Sequence, residues 1–256
     1  MGNIGKRAAL NGRGWIKIDP ADIVNPGHNA AAASQLRKLF ENLPVDPYCG
    51  PKTRCRRFIE FEVDPVLKAV EPLPAKADPD TGEMFVEYFQ NKQVNPDDGG
   101  LGRRFPALDL SPCNTVFLKE IIWNCYELTE WPPETRDVKK VAGFHTVSYQ
   151  PGETHQAVAS PNVFHQDGEP YTFGILVERL GVNGGENYIG TLDTANKRLD
   201  EIPGTDILDT FTLENAFEGF GVCDRIITHY VAPLTRKAPG EKGYRNIILL
   251  DFTPIP

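Results

Sequence analysis

SPNVFHQDGEPYTFGILVERLGVNGGE, residues 160–186, sets a histidine and an aspartate one residue apart in a run with the texture of a half-buried strand. Side chains at i and i+2 of a strand leave the same face, so His165 and Asp167 converge on one spot. Two polar groups placed there either cover a polar patch or grip something. From about Val141 onward the same texture recurs, and strands are expected near 141–149, 163–167, 172–178, 187–192, 197–202, 207–212, 225–231 and 245–252. Turn signals at Pro151-Gly152, Gly184-Gly185, Pro203-Gly204 and Pro239-Gly240 separate several of them. Short strands at this spacing mean a β-sandwich or barrel.

Residues 1–140 read as a mixed α+β scaffold attached to that β part, and the whole chain, 1–256, as one domain. GWIKID (14–19) and RFIEFEV (57–63) alternate as strands do. Between them Leu36, Leu39, Phe40 and Leu43 fall at i, i+3, i+4 and i+7, the stripe of an amphipathic helix that Pro44 stops. Residues 72–83 read as loop from their prolines, aspartates and glycine. A second helix is expected to start at Ser111-Pro112 and to bury Leu118, Ile121, Ile122, Cys125 and Leu128.

The formal charge of −8 argues against a phosphate-backbone ligand, which needs a basic face. No apolar run approaches the roughly 18 residues of a membrane span. MGNIGKRAAL is too short in apolar residues for a signal peptide, and Lys6 stands where a myristoylation signal wants Ser or Thr. Five scattered cysteines without C-x-x-C read as free thiols in a reducing compartment, so a cytoplasmic location is expected.

His-x-Asp alone is weak evidence; with 5 histidines and 35 acidic residues, such a triplet is about an even bet by composition. Two later residues change the odds. In DRIITHYVAPL, Ile227, His229 and Val231 share a strand face, so an imidazole lies among β-branched neighbours. In GYRNIILLDF, Arg245 shares a face with Ile247 and Leu249. A guanidinium there needs an anion, either Asp251 on the same face or an incoming carboxylate that fits its planar fork. Two imidazoles and one carboxylate make a facial triad that suits non-haem Fe(II) with open positions.

The order H-x-D…H…R on a ladder of strands resembles the Fe(II)/2-oxoglutarate-dependent oxygenases. SPNVFHQDG, VNGGE, DRIITHYVAPL and GYRNIILLDF, with YFQNKQVNPDDGGLGRRFPAL (88–108) before them, are similar to the small oxygenases that include L-isoleucine dioxygenase. The resemblance implies a double-stranded β-helix (jelly-roll, cupin-like) core over 141–256, flanked by helices. It implies Fe(II) on His165, Asp167 and His229, with 2-oxoglutarate as co-substrate, its distal carboxylate on Arg245, and O2 as oxidant. Asn246-Ile247 follows Arg245 in place of the wider superfamily's frequent Arg-x-Ser. The substrates implied are free branched aliphatic amino acids, valine or isoleucine in type, and the commonest reaction is hydroxylation. Fungal relatives close rings, including an aziridine, with the same centre.

A free amino acid needs a cation for its carboxylate and acceptors for its ammonium. Arg103 and Arg104 are candidates for the first, against the plainer reading of solvated charges. Tyr149 and His145 share one face of AGFHTVSYQ and are candidates to line the pocket, His145 reading more readily as a hydrogen-bonded core histidine. Gln90 enters through the resemblance alone. Two other classes compete: a non-oxidative cupin-like metalloenzyme, which has no use for Arg245 as an anion partner, and a binding module without catalysis.

Overall fold

The computed structural model describes residues 3–92, 99–113 and 115–255. Residues 93–98 of the 88–108 segment therefore lie outside the described residues. The helices are α1 (Asn3–Arg13), α2 (Pro20–Ile23), α3 (Asn29–Lys38) and α4 (Thr115–Glu127). The strands up to the central region are β1 (Trp15–Ile18), β2 (Arg54–Asp64), β3 (Ala69–Pro72), β4 (Lys76–Ala77), β5 (Met84–Phe89), β6 (Gly102–Pro106) and β7 (Lys140–Tyr149). Then come β8 (Tyr171–Leu180), β9 (Val182–Gly184), β10 (Asn187–Gly190), β11 (Ile207–Phe211), β12 (Gly219–Cys223), β13 (Thr228–Val231), β14 (Leu234–Arg236) and β15 (Tyr244–Pro254).

The fold is mainly β, a jelly roll flanked by helices. A seven-stranded sheet in the order β1-β12-β8-β15-β7-β2-β3 is its major layer. Small sheets β11-β10-β13 and β14-β9 supply strands of the opposing layer, and β4-β5-β6 forms a separate three-stranded sheet. Strands from both the 1–140 and the 141–256 stretches thus share the major sheet.

Strict alternation gives that sheet two different faces. Ile59, Phe61, Phe144, Phe173, Ile248, Leu250 and Phe252 turn to one side and pack with Leu118, Ile121, Ile122 and Cys125 of α4. Burial of each such large apolar side chain contributes roughly 1.5–3 kcal/mol, so this face anchors the sheet. The other face carries four rows across β2, β7, β15 and β8. They are Arg54–Tyr149–Arg245–Arg179, Arg56–Val147–Ile247–Leu176, Phe58–His145–Leu249–Gly174 and Glu60–Gly143–Asp251–Thr172. The rows therefore run from a cationic end at Arg54, Arg245 and Arg179 to an acidic end at Glu60 and Asp251, with Arg56 and His145 among apolar neighbours between them.

Several expectations shift. The first amphipathic helix ends at Lys38, before Pro44, because Leu39–Asn42 already turn, with Asn42 at φ 55°. The second starts at Thr115, while Ser111 hydrogen-bonds Asp109 in a turn ahead of it; its predicted inner face is fully buried. Residues 197–202 form a 3-10 turn (Leu199–Glu201), and the strand expected over 163–167 is a loop with a single bridge, His165 to His229. The strand expected from 225 starts at Thr228, residues 72–83 contain the short β4, and β12 was not anticipated. Gly219, Gly221 and Gly174, which lies opposite Phe220, blur the apolar alternation of that pair, and a Cβ on Gly174 would meet the Phe220 ring at 2.5 Å.

Candidate active site

His165 leaves the loop between β7 and β8, and His229 sits on β13. Their backbones exchange two hydrogen bonds, each 3.0 Å, which brings the rings to 4.4 Å between centroids. Asp167 follows two residues on. Its loop is pinned from two sides: Gln90 Nε2 donates to the Asp167 carbonyl at 3.0 Å, and Gly168 N–H donates to Asp224 Oδ2 at 2.6 Å. Asp167 Oδ1 lies 3.5 Å from His165 Nε2 and Oδ2 lies 3.4 Å from His229 Nε2. One donor atom from each of the three residues falls within 4.8 Å of the others. Three ligands at about 2.1 Å on one octahedral face are about 3 Å apart, so the donors stand close to a coordinating arrangement.

The donor chemistry also fits a metal. His165 Nδ1 donates to the Val163 carbonyl at 2.9 Å, which fixes the tautomer and leaves the Nε2 lone pair aimed at the cluster. Burial pulls His229 down to about 4, so it is neutral at neutral pH. Burial opposes ionisation of Asp167, but the neighbouring imidazoles of His229 and His165 outweigh it and hold its carboxyl below the usual range.

Arg245 is 1% exposed, and its Nε and Nη2 find no hydrogen-bond partner among the described residues. Burial pulls it down to about 10, still charged at neutral pH. Asp251 is not its partner. Six residues of strand separate them, about 20 Å at 3.3 Å per residue. Tyr149 pairs in register beside Arg245 on one side and Arg179 on the other. A bulge at Val177, which has no partner while Leu176 and Glu178 pair with Ile247 and Asn246, turns Arg179 onto the Arg245 side of the sheet. Its Nη2 donates to the carbonyls of Val182 and Gly184. The Gly184-Gly185 turn runs at φ 81° and 76°, and a Cβ on Gly184 would sit 2.1 Å from the Pro233 carbonyl oxygen, so glycine is required there.

At the other end, a cleft beside Asp167 is lined by Arg56, Tyr88, Gln90, Arg103, His145, Glu169 and Asp251. Arg103 Nη2 donates to Gln90 Oε1 at 2.6 Å, and its guanidinium lies over Tyr88. Arg104 is not among these residues. It is the next residue of β6 and points the other way, with a side chain 57% exposed near Asp78 and Glu87. His145 stacks on Phe58 at 4.1 Å, and its Nδ1 meets Arg56 Nη2 at 2.5 Å. Burial, then Arg56, keeps it well below the ordinary imidazole range, so it is neutral, with Nδ1 accepting and Nε2–H donating to Asp251 Oδ2 at 3.3 Å. A Cβ on Gly143 would fall 2.5 Å from the Asp251 carboxylate, so the glycine makes room for that acid.

Arg56, Arg179, Glu169 and Tyr88 were not singled out from sequence. RCRRFIEFE does carry a readable signal, since Arg54 and Arg56 alternate onto one face of β2; Glu169 offers none beyond its closeness to Asp167. Two larger grooves, about 670 and 700 Å³, lie elsewhere and hold no cluster of three metal-ligating side chains among the described residues. Ligand chemistry, not volume, selects the site.

A jelly roll with a His-Asp-His cluster, and a buried arginine whose Nε and Nη2 have no partner among the described residues, has the donor set of a non-haem iron enzyme. The chain belongs to the 2OG-Fe dioxygenase family, whose model matches residues 37–251. It is therefore a dioxygenase that uses Fe(II), 2-oxoglutarate and O2. It is 27% identical to an L-isoleucine-4-hydroxylase of Bacillus thuringiensis over 94% of this chain and 91% of that protein. It is 24% identical to a 3(1)-hydroxy-L-isoleucine 4-dioxygenase of Pantoea ananatis (strain AJ13355), over 85% and 79%. The crystal structure of IDO from Bacillus thuringiensis superposes with a TM-score of 0.76 at 18% identity, covering 100% of this chain and 97% of that one. Among the described residues no helix is long and apolar enough to cross a membrane.

Proposed function

We propose that this dioxygenase, working as one domain over residues 1–256, oxidises an unactivated C–H bond of a free branched aliphatic L-amino acid of the valine or isoleucine type, by hydroxylation. His165, Asp167 and His229 hold Fe(II), and Arg245 takes the distal carboxylate of 2-oxoglutarate. Bound together, iron, 2-oxoglutarate and O2 supply the oxidising power that the side chains lack.

The observation that carries the reading is Arg245: a fully buried guanidinium whose Nε and Nη2 have no hydrogen-bond partner, and which has no carboxylate within ion-pair distance, among the described residues. A desolvated cation of that kind is stable only with an incoming anion. Tyr149 and Arg179 flank it and orient that anion. A non-oxidative cupin-like enzyme would have no need of such a residue. The amino-acid class rests on the two isoleucine-oxidising relatives and on a cleft whose lining carries both cations and carboxylates. Of the residues expected there, Arg103 and Gln90 hold the cleft wall and His145 orients its neighbours.

The test is succinate release from 2-oxoglutarate with Fe(II), screened over the free L-amino acids, with product mass recorded. Valine and isoleucine should be accepted together, because one methylene in an apolar pocket discriminates by only about 1–3 kcal/mol. N-acetylated and peptide-bound forms should be rejected. Hydroxylation adds one oxygen; ring closure or desaturation removes two hydrogens and adds none. Succinate formation coupled to a peptide or protein, with none coupled to a free amino acid, would overturn the substrate reading.

A further inference from the structure

We infer that Glu169 and Asp251 together are the receptor for the substrate's ammonium group, and that His145 holds them at amino-acid spacing from the carboxylate-binding arginines Arg56 and Arg103. This rests on the amino-acid reading above and names the residues that enforce it.

Glu169 shows the need for a cation. Its Oε1 accepts from Tyr88 Oη at 3.2 Å, while Oε2 is buried without any hydrogen-bond partner among the described residues. No Lys or Arg nitrogen lies within ion-pair distance of Glu169 or Asp251 among the described residues, whereas Arg54 on the same sheet face has Asp46 at 2.6 Å. Two carboxylates on one cleft without a cation are costly to bury, and an ammonium with three N–H donors satisfies both.

The opposite wall is positive. Arg56 and Arg103 both line the cleft; Arg56 has Asp46 3.8 Å from its Nη1, but its buried Nε has no hydrogen-bond partner among the described residues, and its guanidinium is held over the Phe105 ring at 3.9 Å. His145 joins the two walls. With 2.5 Å from Arg56 Nη2 to its Nδ1, 3.3 Å from its Nε2 to Asp251 Oδ2, and one imidazole between, guanidinium and carboxylate lie no more than about 8 Å apart. An α-amino acid, with ammonium and carboxylate oxygens about 3 Å apart and a hydrogen bond of about 2.8 Å at each end, spans that distance. A diamine, a dicarboxylate or an N-acylated amino acid matches only one of the two walls. Free amino acids are thus selected by charge placement, which a short aliphatic side chain cannot achieve by contact area.

The experiment is calorimetric binding to the Fe(II)/2-oxoglutarate-loaded enzyme under nitrogen, with L-isoleucine and its amine-free counterpart 3-methylpentanoate as probes. Glu169→Gln and Asp251→Asn are each compared with wild type after circular dichroism and melting have shown that they fold. Each variant should weaken L-isoleucine by about tenfold or more, the scale of losing a buried charge partner, and weaken 3-methylpentanoate by less than about threefold. Either variant suffices if the other fails to fold. Wild-type-like L-isoleucine affinity in a folded variant, or equal weakening of both probes, overturns the assignment while leaving the proposed function intact. Failure of the wild-type enzyme to bind L-isoleucine, L-valine or any other free amino acid overturns both.

Discussion

Replacing Arg245 by methionine removes the buried charge and keeps most of the side-chain volume. Burial lowers the guanidinium to about 10, which corresponds to roughly 3 kcal/mol of unfavourable burial at this 1%-exposed site. Tyr149 offsets part of that cost and Arg179 adds to it. A carboxylate arriving at the unpartnered Nε and Nη2 recovers it, so loss of Arg245 should cost about 3 kcal/mol of co-substrate binding, around a hundredfold in Kd. The same reasoning gives an opposite sign for the ligand-free protein: an apolar residue there should leave stability unchanged or raise it by about 1–3 kcal/mol. Calorimetric titration of 2-oxoglutarate, with thermal melts at zero and saturating co-substrate, reads both. Wild type should melt higher with 2-oxoglutarate, and Arg245→Met should show almost no such shift. A variant that binds 2-oxoglutarate within threefold of wild type would refute the reasoning. So would one that melts several degrees lower without ligand, since Arg245 would then be a structural cation.

Alanine at His165, Asp167 or His229 should abolish metal-dependent turnover while the far-ultraviolet spectrum stays native, because the larger apolar cluster lies on the other face of the sheet; near-normal iron affinity in any of them would remove the triad. Metal affinity should fall as pH drops from 7.5 to 5.5. Burial works against a charged His165, but the hydrogen bond and charge of Asp167 outweigh it and raise its pKa above 6.5, so protons compete for the Nε2 lone pair from the neutral side downward. A Mn(II) affinity equal at the two pH values would contradict this. Arg104→Ala should change amino-acid KM by less than about twofold and stability by less than about 0.5 kcal/mol, since its ion pairs are exposed; a large rise in KM would return Arg104 to the site.

Periodicity alone determined much of this molecule. The i, i+2 rule put Arg245 and Asp251 on one face of β15 and Tyr149 and His145 on one face of β7, and the 3.6-residue stripe of α4 identified its buried side. These are local consequences of backbone geometry and hold wherever the segment packs. The set His165, Asp167 and His229 was read from the order of those residues and from the family resemblance, not from periodicity, since the segment that carries His165 and Asp167 is a loop. What lay beyond the sequence were properties of pairing between distant segments. His165 was read as part of a strand, yet a single bridge to His229 brings the two rings together, and the local sequence around neither residue encodes that partner. Arg103 and Arg104 must point opposite ways as neighbours on a strand; only the pairing of β6 with β5, which sets Arg103 opposite Tyr88, selects Arg103 for the cleft. Strict alternation assigns Arg179 to the face of Ile175 and Val177, and the bulge at Val177 reverses it. Asp251 looked like the answer to Arg245 because both share a face, but a strand is rigid and about 3.3 Å per residue long, so sharing a face is not sharing a site. Charge compensation acts over a few ångströms, and only the tertiary structure sets which charges come that close.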